Sequence, residues 1–238
     1  MHRLIALTVL VSLGPFRALA SDEPASTDDV AAVEPSGPPL QIPLEWVVGE
    51  EAIQTEFFFY APADRRNRFG VFTIGRLAVD LSEPSDSTSM LSSQLIANAT
   101  SWMGIAAGAN ASPEGVSPFL GLSLFAQNPD RTATLNAFPA VLYNPGAANT
   151  DRWSTELLLL GSWTPRVNET WSVFTQGIVV LGMPLTFDEH LYSVGQLRLG
   201  PSYRDRLQFG VAADLELYGQ GEALSARDNL GLFVRRVF

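Results

Sequence analysis

Apolar segments of strand length, side chains alternating between dry and polar, and turns alternating between short and long predict an all-β fold, an antiparallel transmembrane β-barrel. About ten strands are counted, with eight or twelve as neighbouring counts. Beyond the N-terminus no stretch holds the ~18 consecutive apolar residues of a membrane-crossing helix. The segments instead suit the ~9–11 tilted residues with which a barrel strand crosses a bilayer.

Taken in order, the chain opens with "MHRLIALTVLVSLGPFRALA". Arg3, an apolar core from Leu4 to Leu13 and the small-x-small site Ala18-Leu19-Ala20 predict a secretory signal peptide over 1–20. Residues 21–45 are acidic and Pro-rich without an apolar period, which predicts a flexible leader. The barrel is expected over 46–238. Its strands are read at 52–60, 68–80, 93–107, 116–127, 131–143, 152–163, 170–182, 190–200, 206–218 and 228–238.

The alternation is cleanest in "RLQFGVAADLELYG". Leu207, Phe209, Val211, Ala213, Leu215 and Leu217 share one face, while Arg206, Gln208, Asp214 and Glu216 share the other. A β-sandwich shows the same pattern with its dry face inward, so the connections must help decide. "QNPDR", "TPRVNE" and "GPSYRDR" are short, and longer loops such as "YNPGAANTDR" and "GQGEALSARD" alternate with them. Outer-membrane barrels have short periplasmic turns and long external loops. With an even strand count, the leader and the C-terminus then fall on the periplasmic side. Two features fit this scheme badly: "LSEPSDSTSML" is long for a turn, and Trp102 falls mid-strand, away from the expected aromatic girdles.

Charge narrows the function classes. The net charge is −10 and every basic residue is arginine, which argues against nucleic acid. There is no cysteine, so disulfides, thiol chemistry and Cys-ligated metals are excluded. No metal or other cofactor is expected.

The chain ends "DNLGLFVRRVF", with Leu230, Leu232 and Val234 on the parity of Phe238. This ending resembles the C-terminal signature of bacterial outer-membrane β-barrel proteins, although Arg236 stands where that family usually has an apolar residue. The resemblance covers about ten residues tightly and the rest only as architecture. It implies a Gram-negative outer membrane, recognition of Phe238, Val234, Leu232 and Leu230 by the barrel-assembly machinery, and a last strand that closes on the first. Outer-membrane lipid and lipopolysaccharide are the expected surroundings.

The polar faces give the expected lumen, a charge network of Glu56, Arg76, Glu156, Arg198, Arg206, Asp214, Glu216 and Arg235. Buried charges of both signs are tolerated only when paired. This predicts a mostly occluded interior and a structural or surface-interaction role, the alternative being a passive pore for small polar solutes. Arg65, Arg66 and Arg68, read as the first external loop, are candidates for lipopolysaccharide phosphate contact. A second alternative is a rim enzyme. His190 would be its base and Ser193 its nucleophile, with Asp188 nearby.

Overall fold

The computed structural model describes residues 42–64, 66–146, 152–187, 189–219 and 224–238. The expected signal peptide, the leader up to residue 41, Arg65 and Asp188 lie outside the described residues. Within them the chain forms twelve strands: β1 Pro43–Gly49, β2 Ala52–Pro62, β3 Phe69–Asp80, β4 Thr88–Asn98, β5 Met103–Ser112, β6 Gly115–Gln127, β7 Ala133–Tyr143, β8 Trp153–Trp163, β9 Trp171–Pro184, β10 Tyr192–Tyr203, β11 Leu207–Tyr218 and β12 Ser225–Val237. Each strand pairs antiparallel with the next, and β12 returns to β1 to close a barrel.

Twelve strands therefore stand where about ten were expected, for two reasons. β1 begins inside the segment read as leader. The segment 93–107, read as one strand, is the end of β4, a turn at 99–102 and the start of β5. In that turn Thr100 Oγ1 accepts the backbone N–H groups of Trp102 and Met103 at 3.2 and 3.0 Å. A threonine side chain thus supplies the turn chemistry that Gly or Pro usually signals. Trp102 consequently sits at a rim instead of mid-strand.

The two extra elements also reassign connections between rims. The terminal rim carries both barrel ends and the connections after the even-numbered strands; the opposite rim carries the others. The arginine-rich segment 63–68 joins β2 to β3, so it lies on the terminal rim with both barrel ends, not with the long loops. The connection read at 81–91 lies at the opposite rim and is shorter, 81–87, because β4 already begins at Thr88. It holds a 3-10 helix at Pro84–Asp86 and shares that rim with the longer β7–β8, β9–β10 and β11–β12 connections, whereas the adjacent β1–β2 and β5–β6 turns are short.

Proline marks the gaps in the ladders. Pairing of β6 with β7 is interrupted opposite Pro139, and pairing of β10 with β11 is interrupted at Pro201. Proline has no N–H to give.

The outward face is dry. Val48, Leu120 and Leu232 are 61–65% exposed, and Ile105, Leu95 and Val211 point the same way. So large an apolar surface is foreign to a water-soluble monomer. At the terminal rim Trp171 packs on Tyr203 with ring centroids 5.0 Å apart, and Phe209 meets Trp171 edge-on. At the opposite rim Tyr143 packs on Trp153 at 5.0 Å. On β12, Leu230, Leu232 and Val234 face outward, and Arg236 lies over the exposed Phe238 ring at 5.1 Å.

Candidate functional site

The interior has two unlike walls. Along β3 to β9 it is apolar: Phe72, Ile74, Ile96, Ala106, Phe138, Leu160 and Ile178 form one buried cluster. Phe72 of β3 stacks on Phe138 of β7 with centroids 5.1 Å apart, so this cluster bridges strands four apart. The other wall, from β9 through β12 to β3, carries the charges, apart from Glu156 on β8.

At its centre is Glu45 of β1, 2% exposed. One carboxylate oxygen accepts Arg198 Nε at 2.7 Å, and the other accepts Arg235 Nε and Nη2 at 2.9 and 2.6 Å. Arg198 also grips Asp214 with Nη1 and Nη2 at 2.5 and 3.3 Å. Arg235 donates to Gln176 Oε1 at 2.5 Å, and its guanidinium lies over Phe174 at 4.8 Å and Phe58 at 5.3 Å. Side chains from β1, β2, β9, β10, β11 and β12 thus converge. A guanidinium has five N–H groups in a planar fork, so one arginine can hold two partners and stack on rings at once.

Further along the wall Gln196 donates to Glu56 at 3.0 Å, and Arg76 pairs with Glu216 at 2.6 Å. Tyr218 donates to the second oxygen of Glu216 at 3.1 Å. Glu156 accepts the Tyr192 hydroxyl, and Asp80 pairs with Arg227. Asn229 caps the β1–β2 turn: its Oδ1 accepts the Glu51 and Ala52 N–H groups at 3.0 and 3.1 Å. The same carboxamide lies where a Cβ on Gly49 would fall, 2.0 Å from it, which requires glycine there.

Seven of the eight lumen candidates, Glu56, Arg76, Glu156, Arg198, Asp214, Glu216 and Arg235, lie on this inner side. Arg206 does not. It is exposed in the β10–β11 turn, where Arg204 and Asp205 take φ of 50° and 55° and end the alternation before Arg206. Glu45, the hub, was outside the sequence-derived set because β1 was not recognised.

The terminal rim opens into a vestibule of about 960 Å³. Arg66, Arg68, Asn98 and Thr164 line it, together with Phe58, Phe138, Gln176 and Arg235. Arg68 is tied to Asp64 (Nε to Oδ2, 2.9 Å), whose other oxygen accepts the Phe69 and Arg68 N–H groups at 3.0 and 2.6 Å. Those N–H groups and the arginine hold the Asp64 carboxyl below the usual carboxylate range. The turn is therefore tightest above the ordinary carboxylate value and loosens as pH falls through the lowered one. The protection factors of the Arg68 and Phe69 amides, their exchange measured against the intrinsic rate at each pH, are expected to fall on acidification through the lowered value, and Asp64→Asn should lower them at neutral pH.

At the opposite rim His190 Nδ1 lies 2.8 Å from the Gly219 carbonyl, and His190 Nε2 lies 2.7 Å from Ser193 Oγ.

No family model matches the sequence, and no curated protein matches it. Among solved structures the chain is similar to the NanC porin, with a TM-score of 0.46 and 9% identity over 84% of this chain and 98% of that one. It is similar to a bacterial polysaccharide outer membrane secretin at 0.41 and 9%, covering 84% and 98%. It is also similar to LpxR from Salmonella typhimurium at 0.40 and 8%, covering 83% and 100%.

Proposed function

We propose that this chain is an outer-membrane β-barrel with its termini toward the periplasm and its interior latched shut below the terminal-rim vestibule, serving a structural or surface-interaction role. The dry outward face supports the membrane placement, because only a closed barrel or a helix satisfies its backbone polar groups in hydrocarbon. The observation that carries the functional reading is the clasp of Arg198 and Arg235 on Glu45, which joins three strands and, through Asp214, Gln176 and Phe58, reaches six. The Phe72–Phe138 stack closes the apolar wall beside it. A lumen crossed in this way favours rigidity over diffusion.

Planar-bilayer recording tests it. The folded wild-type barrel is expected to give no stable conductance steps, and regular steps in every insertion would overturn the latched reading. The vestibule favours a second reading, a passive pore for small polar solutes that conducts when the clasp lets go. In that case steps appear intermittently and change with Arg198→Gln.

A further inference from the structure

We propose that Ser193 and His190 form a nucleophile–base pair on the lipid-facing side of the opposite rim, acting on the carboxylic esters of membrane acyl lipids. The placement on the outer face rests on the reading of that face as lipid-facing; the pairing itself does not.

Strand parity fixes where the serine points. Tyr192 faces inward, its hydroxyl on Glu156 and its ring where a Cβ of Gly182 would fall. Leu199, on the parity of Ser193, is 47% exposed to the outside. Ser193 therefore looks outward at the start of β10. Its register partners are Leu181 on β9 and Leu217 on β11. Leu185 and Phe187, in the connection that carries His190, are exposed apolar side chains. The serine sits in an apolar surface at the end of a strand, and at this rim Trp153 and Tyr143 make an aromatic pair of the kind found at headgroup level. In a bilayer the acyl ester bonds lie between headgroups and hydrocarbon.

Hydrogen-bond logic fixes the imidazole. A backbone carbonyl only accepts, so Nδ1 carries the proton and donates it to Gly219 O. In the neutral ring Nε2 is then the unprotonated nitrogen, and it accepts the Ser193 hydroxyl proton. A nucleophile touching a base that a third group orients is the arrangement an activated serine needs. Here the third group is main chain, on the β11–β12 connection.

The reaction is ester hydrolysis in two halves. Ser193 Oγ attacks the ester carbonyl carbon while its proton passes to His190 Nε2. The tetrahedral adduct collapses, the carbon–oxygen bond to the alcohol breaks, and the alcohol leaves with the proton from Nε2. Water then attacks the acyl-serine with the same assistance, releasing a fatty acid and restoring Ser193.

The test uses the purified full-length barrel in detergent, a fluorophosphonate probe, and two esters, a micellar diacyl phospholipid and water-soluble p-nitrophenyl acetate. Labelling at Ser193, located by mass spectrometry, and phospholipid hydrolysis are expected, both abolished in Ser193→Ala. That variant keeps the His190–Gly219 contact, so its heat-dependent gel mobility should match wild type. His190→Ala should lower both by ~10²–10⁴-fold, the usual worth of general-base assistance. A folded wild-type barrel that is unlabelled, or labelled equally without His190, would overturn the pairing. Labelling at Ser193 with cleavage of the soluble ester alone would overturn the lipid substrate while leaving the pairing and the membrane placement standing.

Discussion

Glu45→Ala is expected to destabilise the barrel by about 3–5 kcal/mol, the cost of leaving buried charges without their partner. The carboxylate accepts three hydrogen bonds from two guanidinium groups, and all three side chains are 2–3% exposed. Removing it leaves Arg198 with Asp214 and the Leu197 carbonyl, and Arg235 with Gln176 and two aromatic faces. The loss is read as a lower urea midpoint in detergent with an unchanged slope. The same variant is expected to give conductance steps absent from wild type, because the meeting point of six strands has lost its acceptor. Asp205→Asn is the control. The Arg166–Asp205 pair at 3.9 Å is 63–78% exposed, and such a pair is worth ~0–1 kcal/mol. A midpoint for Glu45→Ala no lower than that control would show that the clasp does not hold the barrel together.

The second large effect lies on the outside. Leu232→Arg, mid-strand in β12 and 65% exposed, is expected to cost ~2–4 kcal/mol in reversible folding into lipid vesicles, the penalty of an arginine near the bilayer midplane. On a water-facing surface the same substitution would stay within ~0.5 kcal/mol. A change of the smaller size would refute the membrane reading. Arg236 on the same strand is native and outward, but it stands at the rim over Phe238, where an arginine head reaches the headgroups.

What could be read from the sequence depended on whether a strand advertised its ends. β11 and β12 have long, clean alternations, and their inward residues Asp214, Glu216 and Arg235 were identified from parity alone. β1 is short and follows a proline-rich stretch, so the leader boundary at residue 45 cuts through "PLEWVVG" and no strand is read there. Its parity was nevertheless available, with Glu45 and Val47 in and Leu44, Trp46 and Val48 out. Missing that strand removed the hub of the charge network and put the 63–68 arginines on the wrong rim. The turn at 99–102 escaped because a threonine hydroxyl makes it, and Arg206 was assigned to the wall because alternation was extended past an Arg204–Asp205 turn that lacks the usual Asn-Gly signal. The long connection read at 81–91 and the misplaced Trp102 were already symptoms of the two missing elements. The His190–Ser193 contact was only partly legible. Their proximity in sequence was visible, whereas the Gly219 carbonyl that orients the ring comes from a loop 29 residues away.

The clasp also straddles the seam where the first and last strands meet. Glu45 belongs to β1 and Arg235 to β12, 190 positions apart, so their contact is among the least local in the molecule. Sequential hairpins from β2 to β12 can form through neighbouring segments, whereas closing the seam brings distant parts of the chain together and desolvates several charges in the same event. Topology of this kind sets a slow final step. Before it, the curled sheet exposes two unpaired edges with Glu45 and Arg235 still in water. Barrel closure and charge burial are then a single cooperative act, and the electrostatics that stiffen the finished wall also gate its assembly.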